Sequence, residues 1–429
     1  RRAGARSPAH SAPSAVIRAP RATSVFGFRP VVTMSRHSLI IAGGGIGGLT
    51  AALTLARDGH RVTVLEQARE LAEVGAGIQV SPNASRVLIG LGLGEALSRV
   101  AVTPTDIRVY SVRAGGEVAR TPLGDRPLDR YGAPFWVIHR ADLLGALAVA
   151  VRTDPRIELV LDARLRDVAA EPGGIHVQAT VAGRSRIFVA DGLIGADGVR
   201  SSVRVRVRGG PPARYTGRTA YRATLPIEAV PEEVRRSTCL WFSTRAHVVH
   251  YPIRAGREWN VVAIAEDAWH DESWSVSADR AEVTRLFGLD TDRWPTLGRD
   301  LLARPEHWTK WALCGFDCDF DWSSGAVTLL GDAAHATLPF AAQGGGMAIE
   351  DAEVLARALT GAPNLSAAFR SYESLRKPRT RAVVDQAVKN GRIYHMPDGL
   401  AFFRDMTLRL GAGSRLTDRM DWIYRWKAV

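Results

Sequence analysis

The residues best suited to chemistry in this chain fall into three groups, far apart in sequence. The first is Gly43-x-Gly45-x-x-Gly48, set between a short apolar run, Leu39-Ile-Ile-Ala42, and a helical pattern. Gly43 permits a tight turn, Gly45 lets a pyrophosphate approach the backbone, and Gly48 lets helix and strand pack closely. The helix start, Ile46 included, offers free N–H groups and the positive end of a dipole. Eighteen residues after Gly48, Glu66 closes a second strand, Arg61-Val-Thr-Val-Leu65, with Gln67 beside it. A carboxylate there can bind a ribose hydroxyl pair. Strand, turn, helix, strand and acid together predict dinucleotide binding, without separating FAD from NAD.

The second group is a pair of aspartates. Asp197 stands in Asp-Gly-Val-Arg-Ser-Ser and Asp332 in Gly331-Asp-Ala-Ala-His335, each just after a short apolar strand. Asp332 precedes a helix start, so its carboxylate can accept from hydroxyls while the following N–H groups face phosphate. The competing roles are a helix cap for Asp332 and a turn residue for Asp197. The third group lies on a predicted strand, Ala246-His-Val-Val-His-Tyr-Pro-Ile253. His247 and Tyr251 are four apart, so they share a face, and His250 takes the other. A histidine and a phenol on one face can relay a proton. The competing role is a polar seam in the core. Tyr221 and Arg222 can offer a ring and a cation to an aromatic carboxylate, although a surface arginine is an equal reading of Arg222.

These groups need elements to hold them. Leu49, Ala52, Leu53 and Ala56 recur at three- and four-residue spacing, giving a helix from Leu49 to Asp58 that Gly59 stops. A strand, 192–195, precedes Asp197, another, 326–330, precedes Asp332, and a helix is predicted from about Gly345 to Leu359. Between about 210 and 320 the runs alternate like strands with two different faces. Seven of the eleven tryptophans lie there. The expected organisation is a leader (1–34), a nucleotide-binding part (35–205), an inserted β-sheet substrate domain (206–320), a second nucleotide-binding part (321–395) and a helical C-terminal segment (396–429).

Composition sets the limits. The 429 residues are 46% hydrophobic and 23% charged, which excludes a disordered chain, a collagen and a coiled coil. No apolar run approaches 18 residues, so no membrane-spanning helix is expected. Three cysteines make neither a disulfide framework nor a metal site, and a reducing, cytoplasmic setting is expected. Half of the net charge of +12 sits in residues 1–33, which hold six arginines and no acid. That segment lacks an apolar pattern, and it is expected to be disordered and either an over-extended N-terminus before Met34 or a transit-like leader. Nothing elsewhere interleaves aromatic and basic residues as nucleic-acid binding would require.

In this order, Asp197-Gly-Val-Arg-Ser-Ser-Val-Arg204 and Gly331-Asp-Ala-Ala-His335 with Pro339 and Gly344-Gly345-Gly346 carry a resemblance. The chain resembles the single-component, FAD-dependent aromatic hydroxylases of the group A flavoprotein monooxygenases, over about residues 37–395. Its likeness is greatest to salicylate hydroxylase, 3-hydroxybenzoate 6-hydroxylase and 6-hydroxynicotinate 3-monooxygenase. The resemblance implies an α/β, Rossmann-like FAD-binding fold of the para-hydroxybenzoate hydroxylase type, with an inserted sheet covering the flavin and a helical C-terminus. It implies tight, non-covalent FAD, transient NADH or NADPH, O2 and a small aromatic substrate, in a monomer or homodimer with no nucleic acid, membrane or metal.

Residue by residue, the resemblance places Arg140, in Ile138-His-Arg-Ala-Asp142, by the FAD pyrophosphate; the competing role is a solvated arginine capping Asp142. It places Gly75-Ala76-Gly77-Ile78-Gln79 beside the isoalloxazine ring, with Gln79 facing substrate or finishing a turn. Pro339 and the glycines 344–346 border flavin and substrate, and His335 packs or caps. The His247/Tyr251 pair would help deprotonate a phenolic substrate. One departure is Leu338-Pro339-Phe340, apolar where some relatives carry Gln or His. An FAD-dependent dehydrogenase or reductase, and a non-catalytic flavin-binding protein, remain the other readings.

Overall fold

A computed structural model describes residues 36–71, 77–271, 273–412 and 416–428. The expectations for residues 1–33 and for Gly75 and Ala76 lie outside them. The strand Ser38–Ala42 is apolar and almost wholly buried, as a central parallel strand must be. It pairs with Arg61–Leu65 on one side and Gly192–Gly195 on the other, in a five-stranded parallel sheet completed by Ile157–Val160 and Val327–Leu329. The helix Ile46–Arg57 packs on this sheet, buried nearly all round. Gly59, with φ +92°, lets the chain reverse into the second strand. Both aspartates follow strands of this sheet, so one crevice at its carboxyl ends gathers motifs nearly 300 residues apart.

A second, eight-stranded sheet, here the roof sheet, runs Ser275–Asp279, His307–Gly315, Arg214–Pro226, Glu258–Glu266, Ala246–Ile253, Ser237–Ser243, Asp106–Ser111, Gly116–Pro122. Its two last strands come from before residue 206. Ser237–Ser243 pairs in parallel with Asp106–Ser111, which no local pattern signals. This sheet is therefore not confined to 206–320, and residues 34–429 form one compact unit.

The alternating pattern gives this sheet two differently covered faces. Tyr221, Trp241, Trp259, Val261, Ala263 and Trp308 face outward into a core closed by the helices Arg280–Phe287 and Thr296–Ala303. Ala220, Val262 and Ile264 face inward, against the turn Pro339–Ala341 and Ala387 of the helix Leu365–Tyr394. The glycine-rich start of the helix Gly344–Leu359 follows that turn, so the cofactor motif lies directly under the inner face. No helix among the described residues is long and apolar enough to cross a membrane.

Candidate active site

The glycine turn does three different jobs. Gly43 has φ +110°, and a Cβ there would stand 2.3 Å from the Ala196 carbonyl oxygen. At Gly48 it would meet the Gly43 oxygen at 2.0 Å, so close strand–helix packing demands glycine. At Gly45 it would meet nothing within 4 Å, because that position faces an open cleft. This cleft has a volume of about 650 Å³ and is lined by Gly43, Gly45, Glu66, Gln67, Asp197 and Gly198 among others. The buried helix Ile46–Arg57 starts at this cleft, with Gly45 as its N-cap.

Glu66 is held rigidly at the cleft wall. Its carboxylate accepts from the Gly44 N–H at 2.6 Å and the Ala68 N–H at 2.8 Å. Asp197 lines the cleft and also organises the turn after it, accepting from the Ser202 N–H at 2.7 Å, the Val203 N–H at 3.2 Å and the Ser201 hydroxyl. The turn role and the cleft role therefore coincide in one side chain. Asp332 is exposed just past the strand Val327–Leu329, with protein groups close around it. Burial pushes its carboxyl above the usual range, against the pull of His335 and Arg140. Arg140, the first residue of the helix Arg140–Thr153, thus stands near Asp332. Asp142 pairs with Arg254 at 2.6 Å.

Beneath Asp332 lies a buried ionic cluster that sequence reasoning did not anticipate. Asp351 accepts from the Gly331 N–H at 2.9 Å and from Arg376 at 2.6 Å, and pairs with His335. Glu350 pairs with Arg376 and Arg379, and accepts from Asn83 at 2.7 Å. Burial raises the Asp351 carboxyl, yet His335, Arg376 and the Gly331 N–H outweigh it and hold it at about 2. This cluster fixes the left-handed Gly331 (φ +63°), the residue before Asp332. Of the three glycines 344–346, Gly344 has only ordinary contacts on its Cβ side, Gly345 faces Ile78, and Gly346 packs on Gln343 and Asn83.

On the inner face of the roof sheet, His247 and Tyr251 do share a side, and both are buried. Tyr251 packs so closely on Gly77 that a Cβ there would sit 2.3 Å from its ring. By strand alternation Gln79 shares that face of Gly77–Val80, while Ile78 turns to Gly345. His247 meets Phe340 edge-on at 5.2 Å, next to Pro339. Burial, with His395 and Arg218 adding to it, drops the His247 imidazole well below its ordinary range. Burial raises the Tyr251 phenol, opposed by Arg222. His250 points to the other face, where it accepts from the Trp241 indole N–H at 2.7 Å. Half-buried Val262, Trp311 and Leu338 pack against the cluster of Ala220, Ile264 and Phe340, and Arg222 and Pro339 are half-buried as well.

Tyr221 is corrected by the structure. Adjacent strand residues point to opposite faces, so Tyr221 and Arg222 cannot serve one pocket. Tyr221 is fully buried in the outer core, donating toward Asp267 at 2.7 Å and Glu282 at 2.9 Å. Arg222 stays on the inner face, its guanidinium 5.2 Å from the Trp311 ring centre. Two inner-face residues escaped notice. Asn260, opposite Tyr251, accepts from the Gly77 N–H at 2.8 Å, and His395 reaches His247 from the end of the long helix.

The FAD binding domain family model matches residues 36–387. The chain belongs to that family. It is similar to 3-hydroxybenzoate 6-hydroxylase 1 of Aquipseudomonas alcaligenes, 38% identical over 389 residues, covering 90% of this chain and 96% of the relative. A 3-amino-4-hydroxybenzoate 2-monooxygenase of Streptomyces platensis is 36% identical over 410 residues, covering 93% and 98%. Among solved structures, HpxO of Klebsiella pneumoniae complexed with FAD matches with TM-score 0.78 and 25% identity, covering 91% of this chain and 98% of that one. A salicylate hydroxylase substrate complex matches with TM-score 0.74 and 25% identity, covering 92% and 96%.

The residues present fit the family's cofactor. A pyrophosphate needs a backbone without a side chain at Gly45, and that position is open. A ribityl chain needs a hydroxyl acceptor, and the exposed Asp332 follows a strand of the same parallel sheet. Among the described residues no cluster of histidine, cysteine and acid is arranged to hold a metal.

Proposed function

We propose that the chain is an FAD-dependent monooxygenase that hydroxylates a phenolic or N-heteroaromatic acid, with NADH or NADPH and O2 as co-substrates. Gly43, Gly45, Ile46 and Gly48 would cradle the pyrophosphate of FAD, with Arg140 supplying charge. Glu66 and Gln67 would meet the adenosine side, Asp332 the ribityl hydroxyls, and Gly77, Ile78, Pro339 and Gly344 the ring end, with Asp197 holding the cleft wall. When bound, FAD supplies the two-electron chemistry and oxygen activation that side chains lack.

The chain's own residues handle the substrate. Burial keeps His247 neutral, so one ring nitrogen has a lone pair that can accept from a substrate O–H. Tyr251 keeps its proton and can relay one between substrate and histidine. Arg222, on the same face, offers a cation to a carboxylate, and Gln79 a polar edge. The apolar Leu338-Pro339-Phe340 stretch leaves ring contact on the cofactor side and helps exclude water. The observation carrying this reading is the His247/Tyr251 pair, buried on one strand face directly over the turn that leads into the cofactor motif.

The test is anaerobic stopped-flow reduction of the purified yellow holoprotein by NADH or NADPH against a panel of hydroxybenzoates and hydroxynicotinates. One acid should accelerate flavin reduction and, on admitting O2, yield a hydroxylated product. Reduction without any hydroxylated product across the panel would establish a dehydrogenase or reductase instead.

A further inference from the structure

His395 ends the helix Leu365–Tyr394 as its C-cap and stands across from His247. Nδ1 of His247 lies 2.8 Å from Nε2 of His395, and the ring centres are 5.0 Å apart. The two side chains are 1% and 9% exposed. Phe340 meets both rings edge-on, at 5.2 and 5.7 Å, and its carbonyl accepts from the Tyr394 hydroxyl at 3.1 Å. The residue after Pro339 therefore ties the pair to the cofactor motif. Nδ1 of His395 makes no hydrogen bond among the described residues, so the bond to His247 is what orients its ring.

In this pair one nitrogen must donate and the other accept. If His395 donates, His247 shows an N–H at Nε2. If His395 accepts, His247 shows a lone pair there, and only that form pairs with a phenolic O–H. Resting on the reading of His247 as the substrate's base, we propose that His395 is a positioning residue that holds the His247 proton on Nδ1 and receives it as Nε2 takes the substrate's proton. The substrate O–H bond and the His247 Nδ1–H bond break, and N–H bonds form at Nε2 of each histidine. Phenolate, neutral His247 and cationic His395 result. The charge so moved lies one ring farther from the substrate. The groups facing the pair are Arg218 and Arg222 from Arg214–Pro226, Glu266 at the end of Glu258–Glu266, Tyr251 on the strand of His247, and Tyr394 on the long helix. Burial, the largest influence, holds the His395 imidazole at about 4, with Arg218 adding to it and Glu266 opposing, so the cation on His395 lasts only while the substrate reacts.

The test compares His395→Ala, His395→Gln and His247→Ala holoenzymes on the true substrate. His395→Ala should keep FAD, lose roughly 10-fold in hydroxylation with more hydrogen peroxide released, and move the acid limb of the rate–pH profile upward. The upward move follows because His395 is one cause of the lowered His247 basicity. His395→Gln, which still donates or accepts, should recover most of the rate. The inference is overturned if His395→Ala matches the parent in rate, coupling and pH profile while His247→Ala is impaired. It is also overturned if both His395 variants fall equally and lose FAD, which would mark a packing role. An unimpaired His247→Ala would instead remove the base assignment underneath.

Discussion

In the cleft beside the glycine turn the lining includes bare backbone, at Gly43, Gly45 and Gly198, with the fixed carboxylate of Glu66 beside it. On the inner face of the roof sheet it is side chain: His247, Tyr251, Arg222 and Asn260, several of them buried and titratable. A backbone cradle tolerates no added atoms but needs no tuning. A side-chain pocket has its chemistry set by burial and by neighbours from distant elements. Damage to the first should therefore abolish binding, while damage to the second should leave binding intact and change the reaction.

The largest effects should come from the glycines, and two of them separate fold from site. Gly48→Val should cost about 4 kcal/mol or more, since its Cβ collides with backbone, and FAD should be lost with it. Gly45→Val should lose FAD while the apoprotein melts as the parent does, because its Cβ points into open space. Differential scanning calorimetry of both apoproteins, with flavin absorbance of the purified forms, measures this. A Gly45→Val protein with full FAD content would move the pyrophosphate site elsewhere.

On the roof sheet, His247→Ala and Tyr251→Phe should retain FAD and lose roughly 10²-fold in hydroxylation, the scale of a positioned acid–base group. Nicotinamide oxidation should continue, with more of the oxygen leaving as hydrogen peroxide. Product and peroxide measured together decide it, and unchanged coupling in both variants would shift the proton acceptor to Gln79 and its surroundings.

The smallest effect sharpens the comparison from beneath the cleft. The Asp351 carboxyl is held at about 2, below its unfolded value. Its stabilisation is therefore complete above about pH 4 and is lost as pH falls through about 2. Asp351→Asn should remove that pH-dependent part, flattening the acid limb of stability, and should weaken FAD binding through Gly331 without touching the ligand. Chemical denaturation of the apoprotein at a series of pH values between 2 and 6 reads the slope. An unchanged acid limb would mean that the cluster does not hold Asp351 ionised.

The cleft was legible in sequence because its parts are local. A strand, a glycine turn, a helix and an acid fall within 28 residues, and Gly48 is required by a contact within that same segment, with the Gly43 carbonyl. The shared face of His247 and Tyr251 was legible as well, from parity along one strand. That same parity carried the signal that Tyr221 and Arg222 must diverge. What the sequence did not reveal rests on long-range contact. His395 meets His247 across 148 residues, and Gly331 meets Asp351 across a helix. Strands 106–122 join the roof sheet through a parallel pairing with Ser237–Ser243.

By itself, then, the amino-acid sequence determined which segments alternate, which turn admits only glycine, and where a dinucleotide would lie, since period and spacing are properties of a single stretch of chain. Only the tertiary structure decided which face of the roof sheet looks at the cofactor motif. It alone also settled which histidine partners His247, and how far burial lowers that imidazole. Those outcomes depend on the groups that folding brings within a few ångströms and on the water it removes from around them.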